Sequence, residues 1–187
     1  VTPRFAPSCT SELLSWLGDF KKKTRLLCQT HISENTNEID WVRELFPDSA
    51  SYADVYNDHN LLDEKTILAH AIHLSDEEKN LIKEKGAGIS HCPISNSSIT
   101  SGEARVRWLL DNGIRVGLGT DVSGGFAPSI LHTARHALLV SRHLVMKSKD
   151  VHEKLSVEDV LYLATQGGAE LVGLGSKVGS FEVGKKW

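Results

Sequence analysis

Four times along this chain a short apolar run ends in a side chain that can hold a metal or move a proton. Residues 26–30 lead into His31, 66–69 into His70, 87–90 into His91, and 114–120 into Asp121. The steps between these ends are 39, 21 and 30 residues, and Arg4 lies 27 residues before His31. A βαβ unit takes about 30 residues, so strand, crossover helix and strand fit most steps, and 21 is tight but workable from strand end to strand end. The pattern confines the fold to the α/β class with a parallel sheet. Ligand-type residues at C-terminal strand ends are what a (β/α)8 barrel places around its chemistry.

Helical periodicity fills the gaps. Leu13, Leu14, Trp16, Leu17 and Phe20 mark one helix. Ile39, Val42, Leu45 and Phe46 share a face of another over 35–46, which Pro47 ends. A shorter helix is expected over 51–60. Ser75 and Glu78 form a capping box for a helix that carries Leu81 and Ile82 and stops at Gly86. Residues 93–98 read as a polar loop and 103–111 as a helix ended by Asn112-Gly113. Gly124-Gly125 reads as a pliable loop. Helices over 129–146, 156–164 and 169–174 follow. Residues 1–5 read as a strand, while 183–187 stop without a closing element. The sequence therefore reads as a piece of a longer chain.

With 21 Lys and Arg against 24 Asp and Glu, the net charge of −3 gives no basic stripe for a nucleic acid. Lys21, Lys22 and Lys23 are placed to oppose a helix dipole at a C-terminus. Three widely spaced cysteines, Cys9, Cys28 and Cys92, argue against a disulfide framework and for a reducing, cytoplasmic setting. No run of eighteen apolar residues is present to span a membrane.

Within this frame His31 and Glu34 stand out. A neutral imidazole is a good zinc ligand, and a carboxylate three residues on can take a proton from water. A strand-end histidine can equally be a polar cap satisfied by backbone. His132 and His136 are four apart on an expected helix, but Thr133 stands where a zincin has its glutamate, so they read as surface or packing residues. His73 reads as a loop residue, and His59, His143 and His152 as solvated.

The runs Thr30-His31-Ile32-Ser33-Glu34, Leu68-Ala69-His70, Ser90-His91-Cys92-Pro93-Ile94-Ser95-Asn96 and Gly117-Leu118-Gly119-Thr120-Asp121 resemble the amidohydrolase superfamily. Within it, residues 1–5 and 89–102 are similar to the guanine deaminases. The resemblance covers nearly all 187 residues. It implies a partial TIM-type (β/α)8 barrel of the amidohydrolase kind, with strands four to eight present in residues 1–174. A return towards a small β-sandwich would begin in 175–187. It implies one Zn2+ per chain held by His31, His70 and Asp121, with Glu34 and Asp121 as catalytic carboxylates. Arg4, Phe5, His31 and His91 would bind substrate: Arg4 as a hydrogen-bond donor to a ring acceptor, Phe5 by stacking, His91 near the leaving group. The implied reaction is hydrolytic deamination of guanine to xanthine and ammonia, by a homodimer with no nucleic-acid or membrane partner.

The family's His-x-His pair at the end of strand one has no counterpart in these residues. Two other readings stay open. One is a sister amidohydrolase acting on another aminated or halogenated heterocycle; the other is an inactive fragment lacking that pair. Residue by residue, Arg4 can also be a rim ion-pair partner, Phe5 a core residue, and His91 a structural residue at a sharp turn.

Overall fold

Hydrogen bonding in the computed structural model, which describes residues 1–186, joins four short strands into one parallel sheet in chain order. They are β1 (Cys28–Ile32), β2 (Thr66–His70), β3 (Gly88–His91) and β4 (Val116–Leu118). Parallel neighbours need a crossover, and helices supply each one. α1 (Ser11–Thr24) precedes β1; α2 (Thr36–Leu45) and α3 (Tyr52–Asp58) lead to β2; α4 (Asp76–Lys85) leads to β3; α5 (Pro93–Ser98) and α6 (Val106–Asp111) lead to β4. α7 (Ile130–Ser148) and α8 (Val157–Tyr162) follow. α8 continues through a π-helical turn, Leu163–Gly167, into α9 (Gly168–Leu171). A parallel sheet that keeps chain order is what part of a (β/α)8 wall looks like, and the parallel βαβ units are those the sequence spacing implies.

The helices start where the caps are. Asn35 and Glu38 form a reciprocal capping box on α2, and Ser75 and Glu78 do the same on α4. Gly86 then ends α4 in the left-handed conformation. At the end of α1, Lys21 is buried and ion-paired with Asp63, so of the three lysines it is a packing residue as well as a dipole partner.

The two faces of the sheet differ. Cys28, Thr30, Ile32, Leu68, Ile89 and Val116 alternate onto one face and are at most 1% exposed. There they join Leu14, Tyr56, Ile82 and Leu109 of the surrounding helices in the core. Each fully buried aliphatic side chain of this kind contributes about 1.5–3 kcal/mol. The opposite face carries Gln29, His31, Ala69, Ser90 and Gly117 in register. Near its N-terminal edge α9 packs on this face. A Cβ on Gly117 would sit 3.0 Å from Gly168 Cα and 3.2 Å from Leu171 Cδ2, a tighter fit than most side chains accept.

Several expected boundaries move. Residues 93–98 are helical, because Pro93 at the first helical position fixes its φ in the helical range. The helix expected over 103–111 starts only at Val106. Residues 1–5 lie along β1 without forming a regular strand. Val1 makes a parallel pattern: its nitrogen donates to Leu27 O and its carbonyl accepts from Gln29 N. Pro3 then has no N–H to continue the ladder. The next bond falls on Arg4: His31 N donates to Arg4 O at 3.1 Å. The expected return over 175–187 includes Trp187, which lies outside the described residues. Among the described residues no helix is long and apolar enough to cross a membrane.

Candidate active site

The C-terminal ends of β1 and β2 and the loop after β4 converge on one point. Ligand atoms of His31, His70 and Asp121 all lie within 4.8 Å of one another. His31 reaches the site by ordinary alternation. His70 does not, because its register partner is Ile32, which faces the core. A φ of 74° at His70, followed by 51° at Ala71, rotates the side chain out of that alternation. Its ring thereby stacks on His31, 4.9 Å between centroids. Asp121 is also left-handed, at φ 44°, and Ser33 beside Glu34 at φ 47°. Non-glycine residues in this region are strained, and such strain collects at functional sites.

Each imidazole is pinned at one nitrogen. His31 Nδ1 lies 2.5 Å from Arg4 O, an acceptor only, so Nδ1 carries the proton. His70 Nδ1 lies 2.8 Å from Asn96 Oδ1. In both rings this leaves the Nε2 lone pair free, and His70 Nε2 lies 4.0 Å from Asp121 Oδ2. Two imidazoles with their other nitrogens hydrogen-bonded, beside one carboxylate, are a donor set suited to zinc. The loop of Asp121 folds tightly: Gly125 N donates to Asp121 O, and a Cβ on Gly124 would meet Asp121 Oδ2 at 2.9 Å.

Glu34 stands beside this group. Its Oε1 is 3.7 Å from His70 Nδ1 and accepts from Ser101 Oγ at 3.3 Å. Its backbone N–H donates to Glu38 Oε2, so the α2 cap also fixes the carboxylate's attachment point. Phe5 forms the next layer, edge-on to His31 at 6.4 Å and to Trp41 at 6.2 Å. Arg4 is exposed, its guanidinium 5.4 Å from the centre of the Phe5 ring.

His91 is placed differently. It follows Ile89 on the core face of β3 and is 1% exposed, with Nδ1 unpartnered. Burial, with smaller contributions from His70 and His136, pushes its pKa down to about 3. It is a neutral, enclosed ring rather than part of the open group. His73 Nε2 donates to Ser101 O at 2.9 Å, and His136 Nε2 pairs with Ser97 Oγ. Sequence reasoning passed over Asn96, Ser101 and Tyr56. The Tyr56 hydroxyl accepts from Ala6 N and Thr30 Oγ1 and donates to His31 O, tying α3 to the end of β1.

The model of the amidohydrolase family matches residues 1–187. The chain belongs to the amidohydrolase family. Its four parallel strands and convergent strand ends are the corresponding part of an amidohydrolase barrel. Among curated relatives, a probable guanine deaminase of Schizosaccharomyces pombe is 60% identical over 187 residues, which is 100% of this chain and 36% of that protein. The crystal structure of a guanine deaminase from C. acetobutylicum with bound guanine superposes with a TM-score of 0.90 at 41% identity, covering 96% of this chain and 42% of the other. An atrazine chlorohydrolase from Arthrobacter aurescens TC1, complexed with zinc, superposes at 0.89 with 25% identity, covering 99% and 40%. This amidohydrolase chain thus spans about two fifths of the length of the proteins it matches.

Proposed function

We propose that this chain is the C-terminal part of the catalytic barrel of a zinc-dependent aminohydrolase that converts guanine to xanthine and ammonia. Residues 1–174 belong to the barrel, and 175–187 begin the return towards a small β-sandwich. The observation that carries the reading is the meeting of His31, His70 and Asp121 with Glu34 beside them. The identity to guanine deaminases across the whole chain supports guanine as the substrate.

His31, His70 and Asp121 would hold the zinc through Nε2, Nε2 and a carboxylate oxygen. A zinc ion bound there supplies Lewis acidity, which lets water ionise near neutral pH. The residues do the rest. Glu34 takes one proton from the attacking water as its oxygen adds to the ring carbon that bears the amine, and delivers it to the ring nitrogen. Asp121 accepts the second proton of the same water, which then passes to the departing amine. As the carbon–nitrogen bond breaks, the amine leaves as ammonia. The Arg4 guanidinium, which can only donate, pairs with the ring carbonyl. Phe5, held between His31 and Trp41, stacks on the purine. His91, enclosed and neutral, would back His70 on the leaving-group side rather than open onto the substrate. By analogy with guanine deaminases, the reading extends to a cytoplasmic homodimer in purine catabolism.

The test is an assay of the full-length protein with guanine, adenine and a chlorinated triazine, with zinc measured on the same sample. Xanthine and ammonia from guanine, at about one zinc per chain, are expected. Zinc-loaded protein that leaves guanine untouched would refute the substrate.

A further inference from the structure

Asn96 sits on α5, 1% exposed, with its carboxamide against His70. Among the described residues the 2.8 Å contact with His70 Nδ1 is the only hydrogen bond this side chain makes, and Nδ2 is buried without a partner. A buried donor left unpaired is unfavourable. The amide is therefore placed for the ring, not for the helix that carries it.

We infer that Asn96 is a positioning residue that fixes His70 as its Nδ1–H tautomer and aims the Nε2 lone pair at the shared ligand space. A neutral imidazole carries one proton, and an oxygen acceptor at Nδ1 draws it there. Nε2 then has its lone pair free on the side of Asp121, 4.0 Å away. His70 needs this control because its left-handed backbone takes it out of the sheet's regular alternation. Asn96 also reaches Glu34. Its backbone carbonyl accepts from Ser101 N at 2.9 Å, and Ser101 Oγ donates to Glu34 Oε1. One residue thus orients a metal ligand with its side chain and steadies the proton carrier's partner with its backbone.

The inference rests on the metal-dependent reading of the site, and the experiment separates the two. In the full-length protein, zinc affinity is measured by chelator competition for the parent, Asn96→Leu and Asn96→Asp. The His70 tautomer is read from 15N spectra of the zinc-free parent labelled at histidine, with His70→Gln identifying the signal. The parent is expected to bind zinc and to carry its proton on Nδ1. Asn96→Leu should lose about 10- to 100-fold in zinc affinity, the usual effect of removing a ligand's outer hydrogen bond. Asn96→Asp, which keeps an acceptor in place, should stay within about tenfold of the parent and keep the tautomer. A proton on Nε2 in the parent, or a folded Asn96→Leu that binds zinc as tightly as the parent, overturns the inference alone. A parent that binds no zinc overturns the reading of the site as well. Should Asn96→Leu fail to fold, the parent's tautomer and the Asn96→Asp affinity still decide.

Discussion

The rings of His31 and His70 lie nearly parallel, 15° between planes, although strand register sets the two residues on opposite faces of the sheet. The left-handed backbone at His70 turns one ring to meet the other. Strain of about 1–3 kcal/mol at such a residue persists only where the surroundings enforce it. Here Asn96 and the bonds from Ala71, Ile72 and His73 back to Ile32 and Ser33 enforce it.

Glu34→Gln in the full-length protein should keep its zinc and lose about 10²-fold or more in turnover, the range for general acid–base residues. Zinc content and kcat measured on one preparation check this. Loss of zinc instead would make Glu34 a ligand.

Arg4→Met should raise KM or lower turnover for guanine, by up to about 10⁴ if the guanidinium pairs with a buried carbonyl. Zinc content should not change, since it is the Arg4 backbone, not its side chain, that touches His31. Phe5→Leu should act more mildly. Steady-state kinetics on guanine and adenine distinguish these outcomes from a rim ion-pair role, in which Arg4→Met would turn over guanine like the parent.

Tyr56→Phe removes one hydroxyl that serves Ala6 N, Thr30 Oγ1 and His31 O inside the core. Thr30 Oγ1 still has Arg4 O within reach, but taking this partner from Ala6 N and His31 O should cost about 1–3 kcal/mol. A lower urea midpoint at an unchanged m-value reports it.

His91 links stability to acid. Its folded pKa, about 3, lies below the value near 6.5 of an unfolded histidine. Between those limits only the unfolded state takes up the proton. Stability is complete above about pH 6.5 and falls as pH drops, by up to about 1.4 kcal/mol per unit. Urea midpoints of zinc-free parent and His91→Gln at pH 7 and pH 5 measure it; the variant should show the shallower fall. Equal falls would mean that His91 charges in the folded protein.

The strand ends were readable because each combines a short apolar run with a ligand-type terminus, and a parallel sheet then brings His31, His70 and Asp121 together. What lay beyond the sequence were relations between distant residues. Asn96 differs from any loop asparagine only through a ring 26 residues earlier, and Tyr56 from any amphipathic tyrosine only through partners 25 to 50 residues away. The turned backbone at His70 has no local signal either, since neither glycine nor asparagine marks it. Residues 1–5 failed as a strand for a reason that was visible, the missing N–H of Pro3, whose effect on register appears only beside β1.

That slip at Pro3 joins two jobs in one peptide unit. The Arg4 carbonyl receives both the backbone N–H and the ring Nδ1 of His31, while the Arg4 and Phe5 side chains leave from the same few atoms. In the proposed reaction this works as a caliper: the span from the surface that grips the purine to the residue that grips the metal is set by a single short link. Substrate preference in this lineage is then free to drift by exchanging side chains at positions 4 and 5. Insertions, deletions or backbone shifts there would misalign the metal ligand in the same stroke, so the length and path of this segment should be far less tolerant of change than its composition.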